Sequence, residues 1–272
     1  METPDIDISD LQYAVHAGEP LLARVYRPRS PGPWPALLEV HGGAWIYRDR
    51  FHSAVLASEL ARRGVMVVSI DFRMPPVYRY PASIVDIGSA VRWLKAHAVS
   101  LGADPFRLGG LGLSSGGHQV LLSAMRPSDP RYIADGEADA GNDASLRFLV
   151  LFYPIVDPLA RFTMAREKQL DQLLAGHHAY WADENEMAEG NPQMILDRSE
   201  LASLPDILIF QGTADTNVPD GMAAKFSAAY HRAGGTLEMR EYEGEPHGFI
   251  LDRRSAAFTD AVSRTVDFAL RR

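Results

Sequence analysis

The residues best suited to chemistry in this chain begin with a serine set among small residues, Gly112-Leu113-Ser114-Ser115-Gly116. In the pattern G-x-S-x-G the glycines let a strand turn sharply into a helix and hold the serine hydroxyl exposed on a strained backbone. A serine hydroxyl is a poor nucleophile at its ordinary pKa and needs a general base; on such a turn the partners follow in the order acid, then histidine. Two histidines come late enough. His231 lies inside an amphipathic helical pattern, whereas His247 stands in the loop Gly244-Glu245-Pro246-His247-Gly248 after a strand pattern, so His247 is the expected base. The acid should sit just past a strand end, where it can accept the imidazole Nδ1 hydrogen. Asp215, after the apolar run 207–210 and the turn Gln211-Gly212-Thr213-Ala214, ranks ahead of Asp206, Asp220 and Glu245; Asp220 reads as a helix N-cap. The chemistry such a set performs is acyl transfer through a serine.

Acyl transfer places negative charge on a carbonyl oxygen, and preorganised N–H donors must meet it. His41-Gly42-Gly43-Ala44-Trp45 can supply them, since glycines let the backbone approach a substrate closely. The amides of Gly42 and Gly43 are expected to join that of Ser115, the residue after the nucleophile. His118, four residues along the helix from Ser114, is expected to pack and hydrogen-bond beneath the turn. Asp71 and Arg73 are expected to form a shape-fixing ion pair. His177 and His178 are adjacent and would point different ways on a helix, and no spacing such as H-E-x-x-H occurs, so neither a metal nor a cofactor is expected.

These side chains need a scaffold. Apolar runs at 36–40, 65–70, 106–113, 148–156 and 207–210 each end in loop residues and read as buried parallel strands, with a further strand near 236–242. Helical patterns fall between them at 53–63, 83–98, 116–125, 221–233 and 255–270; in the second, Ile84, Ile87, Val91 and Leu94 recur at helical spacing. Alternation of strand and helix implies a mostly parallel sheet flanked by helices, and residues 11–26, broken by Gly18-Glu19-Pro20, read as an antiparallel hairpin at its edge. Residues 159–204 break the rhythm and are expected to form a helical cap inserted within a single domain spanning residues 1–272. Trp45, with Tyr180 and Trp181 from that insertion, is the candidate substrate-binding set.

Composition narrows the function classes. At 272 residues, 46% hydrophobic and 23% charged, the chain can bury one large core. Its formal net charge of -8 and lack of any Lys/Arg run argue against a nucleic-acid partner, which needs clustered cations. There are no cysteines, which suits a reducing cytoplasm. The acidic N-terminus lacks the order of a signal peptide and no apolar run reaches membrane-spanning length, so no membrane span is expected.

Taken together, these segments resemble the hormone-sensitive-lipase-like and carboxylesterase branch of the α/β-hydrolase fold. The resemblance rests on His41-Gly42-Gly43-Ala44-Trp45, Asp71-Phe72-Arg73-Met74, Pro81-Ala82-Ser83 leading to Asp86 and Trp93-Leu94, and Gly112-Leu113-Ser114-Ser115-Gly116-Gly117-His118. It continues through Gln211-Gly212-Thr213-Ala214-Asp215, Val218-Pro219 and Pro246-His247-Gly248-Phe249. The resemblance implies a serine-dependent hydrolase acting on small-molecule carboxylic esters, and a homodimer. Ala44 stands where lipase-like relatives carry a third glycine, and His-Gly-Gly-x-Trp also resembles kynurenine formamidases and feruloyl-esterase-like hydrolases, so an arylformamidase-type amide substrate is the alternative. A non-catalytic binding protein on the same fold is the alternative from another class. The segment before the first parallel strand is short, so the roof of the pocket is expected from residues 159–204.

Overall fold

The computed structural model describes residues 6–16, 18–134 and 144–272. Eight strands form one sheet in the order β1-β2-β4-β3-β5-β6-β7-β8. The edge hairpin is β1 (Ile6–His16) and β2 (Glu19–Pro28), and β2 also runs antiparallel to β4 (Met66–Ile70). All remaining pairings, through β3 (Trp34–Val40), β5 (Ala103–Leu113), β6 (Phe148–Phe152), β7 (Asp206–Gly212) and β8 (Leu237–Tyr242), are parallel.

Strands buried on both faces read as continuous apolar runs, because each alternate side chain meets a different helical layer. On one face Ala36, Leu38 and Val40 of β3 pack with Ile84, Ile87 and Val91 of α2 (Ala82–Leu101), with α3 (Ser115–Met125), and with Phe226 and Tyr230 of α8 (Met222–Arg232). On the other, Leu37, Val67 and Leu111 pack with Leu56 and Leu60 of α1 (Ala54–Arg62) and with Phe258 and Val262 of α9 (Ala256–Arg271). No helix among the described residues is long and apolar enough to cross a membrane.

Several boundaries differ from expectation: β1 begins at Ile6 and β5 at Ala103, earlier than their apolar patterns, and three more differ for local backbone reasons. Helix α2 runs one turn past residue 98 and stops at Gly102, whose φ of 86° is the left-handed C-cap that glycine adopts without penalty. Strand β6 ends at Phe152, not at residue 156, because Tyr153 takes a φ of 39° and leaves the ladder. The N-cap of α8 is Gly221, at φ 72°, and not Asp220; the left-handed glycine delays the helix to Met222 and leaves Asp220 outside it.

Between β6 and β7 lie four short helices, α4 (Pro158–Glu167), α5 (Asp171–Tyr180), α6 (Glu184–Glu189) and α7 (Pro192–Asp197). Their starts are encoded locally. Asp157 accepts from the Ala160 N–H at 3.0 Å and Asn191 from the Met194 N–H at 3.1 Å, and each is followed by a proline at the first helical position.

Candidate active site

Strand β5 delivers Ser114 into the turn that opens α3, at φ 52° and ψ -116°. A non-glycine residue there is strained, and the surroundings must hold it. They do so through three backbone bonds: Ser114 N–H to the Phe152 carbonyl at 2.9 Å, and the Ser114 carbonyl accepting from His118 and Ile155. Gly116 is required beneath this turn, since a Cβ there would lie 2.1 Å from the Val40 carbonyl oxygen.

The three side chains singled out from the sequence meet at the carboxyl ends of β5, β7 and β8. The Ser114 hydroxyl lies 2.9 Å from His247 Nε2, and His247 Nδ1 lies 2.8 Å from Asp215 Oδ2. The carboxylate fixes the tautomer, with Nδ1 donating to Asp215 and Nε2 free to accept the serine proton. Asp215 is held in turn by the Gln211 amide at 2.9 Å and the Asn217 N–H at 2.8 Å. Burial pushes its carboxyl up, but the His247 hydrogen bond and charge and the other donors outweigh burial and hold it below its ordinary value. Tyr153 packs on the imidazole with ring centres 4.5 Å apart.

The loop after β3 faces Ser114. Gly43 has a φ of 117°, and a Cβ on it would lie 2.1 Å from the Tyr47 carbonyl oxygen, so this turn admits only glycine. Ser115 is the first residue of α3, and its N–H has no acceptor within the helix. Its hydroxyl accepts from the Trp45 N–H at 3.1 Å and clamps the glycine loop to the serine turn. Ala44, Trp45, Arg48, Ser114 and Tyr153 all take positive φ, so the backbone strain of the chain concentrates around this cleft.

A cavity of about 360 Å³ opens above Ser114, lined by Gly42 and Gly43, His247, Tyr153 and residues of the insertion. The aromatic set expected to bind substrate is elsewhere. Trp45, Tyr180 and Trp181 are each 1% exposed and none lines the cavity. Trp45 stacks on Tyr180 at 5.5 Å, and Trp181 packs between Tyr180 and Tyr80. These rings are the buried joint between insertion and sheet, because large aromatics gain most from complete burial. The insertion instead contributes Arg161, Gln172 and Leu173 to the cavity, with Asn217 from the loop after β7. Asn217, two residues past Asp215, was visible in the sequence as a neighbour of the acid; Arg161 and Tyr153 carried no local signal.

The other polar expectations divide. His118 is buried beneath the turn, donating from Nε2 to the Gly190 carbonyl at 2.8 Å and accepting from the Trp45 indole at Nδ1 at 3.2 Å; burial pulls its pKa down to about 4. Asp71 and Arg73 do not pair with each other. Asp71 accepts from Arg50 at 2.5 Å, and Arg73 forks onto Asp86 of α2 at 2.7 and 3.0 Å; both lie beyond the end of β4, where the chain has left the ladder and each side chain meets a different neighbouring segment. His177 is buried and His178 exposed. Among the described residues no group of three His, Asp or Glu side chains is placed to hold a metal ion.

Comparison with known proteins agrees with the fold. A family model described as alpha/beta hydrolase fold matches residues 37–251. The esterase LipC of Mycobacterium tuberculosis is 30% identical over 80% of this chain and 54% of its own length. The probable carboxylic ester hydrolase LipM of the same organism is 32% identical over 72% of this chain and 44% of its own length. The chain thus spans about half the length of these curated relatives. The structure of a thermophilic esterase of Thermogutta terrifontis with propionate bound shares the fold, with a TM-score of 0.77 at 23% identity over 100% of this chain and 96% of that one. With its sheet order, its serine turn and a family match running from the middle of β3 to the turn past His247, the chain belongs to the alpha/beta hydrolase fold family.

Proposed function

We propose that this protein is a serine-dependent carboxylic ester hydrolase that cleaves small or medium acyl or aromatic esters through an acyl-enzyme. The reading rests on one observation above the others: the hydrogen-bonded chain Ser114, His247, Asp215, at 2.9 and 2.8 Å, opening onto a cavity. In the first step His247 Nε2 takes the Ser114 proton as Oγ attacks the ester carbonyl carbon, and the carbonyl π pair moves onto oxygen. The amides of Gly42, Gly43 and Ser115 hold that oxyanion, a class of interaction in which each donor is worth about 2.7–4 kcal/mol of transition-state stabilisation. Collapse breaks the bond to the leaving alkoxide, which takes the proton from His247. Water, deprotonated by the same imidazole, then attacks the acyl-enzyme, and Ser114 leaves with the proton returned. Asp215 stabilises the imidazolium throughout, and Gln211 and Asn217 keep that carboxylate oriented.

In this reading the segment 159–204 is a cap within one domain, roofing the cavity through Arg161, Gln172 and Leu173. A chain without cysteine suits the cytoplasm, where we place the protein. The test is hydrolysis of p-nitrophenyl acetate, butyrate and decanoate, beside N-formylkynurenine, by the protein and its Ser114→Ala variant. Serine-dependent ester turnover is expected. Serine-dependent turnover of the formamide alone would move the assignment to an arylformamidase. A rate that Ser114→Ala retains, or failure of an organophosphate to label Ser114 covalently, would overturn the mechanism.

A further inference from the structure

Arg161 is a buried cation that the reaction scheme does not use. It lies at the start of α4, near the helix end whose dipole disfavours positive charge, and is 1% exposed while lining the cavity above Ser114. Its guanidinium donates from Nε to the Asn217 carbonyl at 2.9 Å, from Nη2 to the Asn217 side-chain oxygen at 2.7 Å, and from Nη1 to His177 Nε2 at 3.0 Å. The face of Trp45 lies 5.6 Å from its central carbon. Every one of these partners is neutral. A guanidinium carries five N–H donors, so one on each terminal nitrogen has no acceptor among the described residues. Buried charges in folded proteins are ordinarily paired; among the described residues Arg161 hydrogen-bonds to no carboxylate, and the charge of Asp215 acts on it only from beyond Asn217.

One more cation lines the cavity. Arg48 stands on its wall and no Asp or Glu does among the described residues, although the whole chain carries a formal net charge of -8; His247 is neutral when it accepts the serine proton, and burial lowers the pKa of His52. A cleft lined by one sign of charge focuses the field on ligands of the other. Planar, bidentate recognition of a carboxylate is what an arginine fork held in place by other bonds does best.

We propose that the cavity selects esters carrying a free carboxylate, with Arg161 as the side chain that binds it. The proposal rests on the hydrolase reading above and adds the substrate class. The carboxylate sits on either the acyl or the alcohol part of the ester, and Arg161, touching substrate but not the reacting atoms, acts in binding and specificity. Its hydrogen bonds to Asn217, whose N–H holds Asp215, also make it a positioning residue, so its replacement lowers turnover of every ester.

The experiment measures kcat/KM for two matched pairs. Mono-p-nitrophenyl glutarate against p-nitrophenyl pentanoate exchanges a carboxylate for a methyl on the acyl side; para-acetoxybenzoate against phenyl acetate adds one on the alcohol side. The protein is expected to prefer the anionic member of one pair by about tenfold or more, the scale of one charge-assisted hydrogen bond, and the pair that responds identifies the side. Arg161→Gln is expected to abolish the preference, whatever it does to the neutral rate, and Arg161→Lys to restore part of it. Preference for the neutral member in both pairs, or an anionic preference that Arg161→Gln leaves intact, overturns the subsite and leaves the hydrolase reading standing. If Arg161→Gln does not fold, the wild-type ratios at low and high salt decide: an anionic preference that salt weakens supports the subsite, and one insensitive to salt overturns it. Absence of Ser114-dependent turnover on all four esters would overturn the hydrolase reading instead. Calorimetric titration of Ser114→Ala with monomethyl glutarate then judges the subsite alone, binding supporting it and no binding refuting it.

Discussion

Replacing Glu39 by glutamine should stabilise the protein in mild alkali and change little in acid. Glu39 stands one residue before the end of β3, between Ser69 of β4 and Leu111 of β5, and is 1% exposed. Ser53 and Ser69 lie near enough to ease its ionisation, yet neither makes a hydrogen bond of good geometry to either carboxylate oxygen. Burial therefore pushes its pKa from 4.5 up to about 7, with the two serines opposing weakly. An acid raised in the folded state binds more protons there than in the unfolded chain, between 4.5 and about 7. Its contribution to stability consequently falls as pH rises through that window. Each tenfold difference in proton affinity is worth ~1.36 kcal/mol, so the full window corresponds to about 3 kcal/mol. Glutamine keeps the shape of the protonated acid and cannot ionise. The difference in unfolding free energy between Glu39→Gln and the parent should therefore grow by about 3 kcal/mol from about pH 4 to about pH 8, read from urea unfolding at each pH. The buried histidines titrate in both proteins and cancel in the difference. A difference that stays constant across that range would refute the burial argument.

Two further outcomes follow from the same geometry. Asp215→Asn should lower kcat by about 10⁴-fold, because an amide in place of the carboxylate favours the wrong imidazole tautomer, while the thermal midpoint stays near that of the parent. Asp86→Ala should cost about 3 kcal/mol in urea unfolding, because it strands the Arg73 guanidinium and N–H, both of which bond to that wholly buried carboxylate; a loss under 1 kcal/mol would mean that water replaces it.

Much of the candidate site was legible because it is written in short-range rules. Gly-x-Ser-x-Gly and His-Gly-Gly encode backbone conformations that few other residues adopt, and the positive φ values of Ser114 and Gly43 are those conformations realised. Asp215 and His247 were found from chain order and from the loops that follow strand patterns. The alternation of apolar strands with amphipathic helices likewise specified the sheet to within a few residues at each end. Where boundaries slipped, as at Tyr153 and Gly221, one left-handed residue overrode the hydrophobic pattern.

Pairings between distant segments were not legible. Asp71 with Arg50, Asp86 with Arg73, and Arg161 with Asn217 and His177 join residues whose approach depends on how helices settle on the sheet. The same holds for the lining of the cavity. A helix of the insertion presents aromatic and polar side chains on several faces, and its sequence does not say which face turns to the sheet. The sequence by itself determined the serine turn, the glycine loop after β3 and the order of the elements, since backbone sterics and periodicity act between near neighbours. Tertiary structure alone decided that Trp45, Tyr180 and Trp181 are core while Arg161 faces the cavity, because burial is a property of packed surfaces and not of a residue's own type.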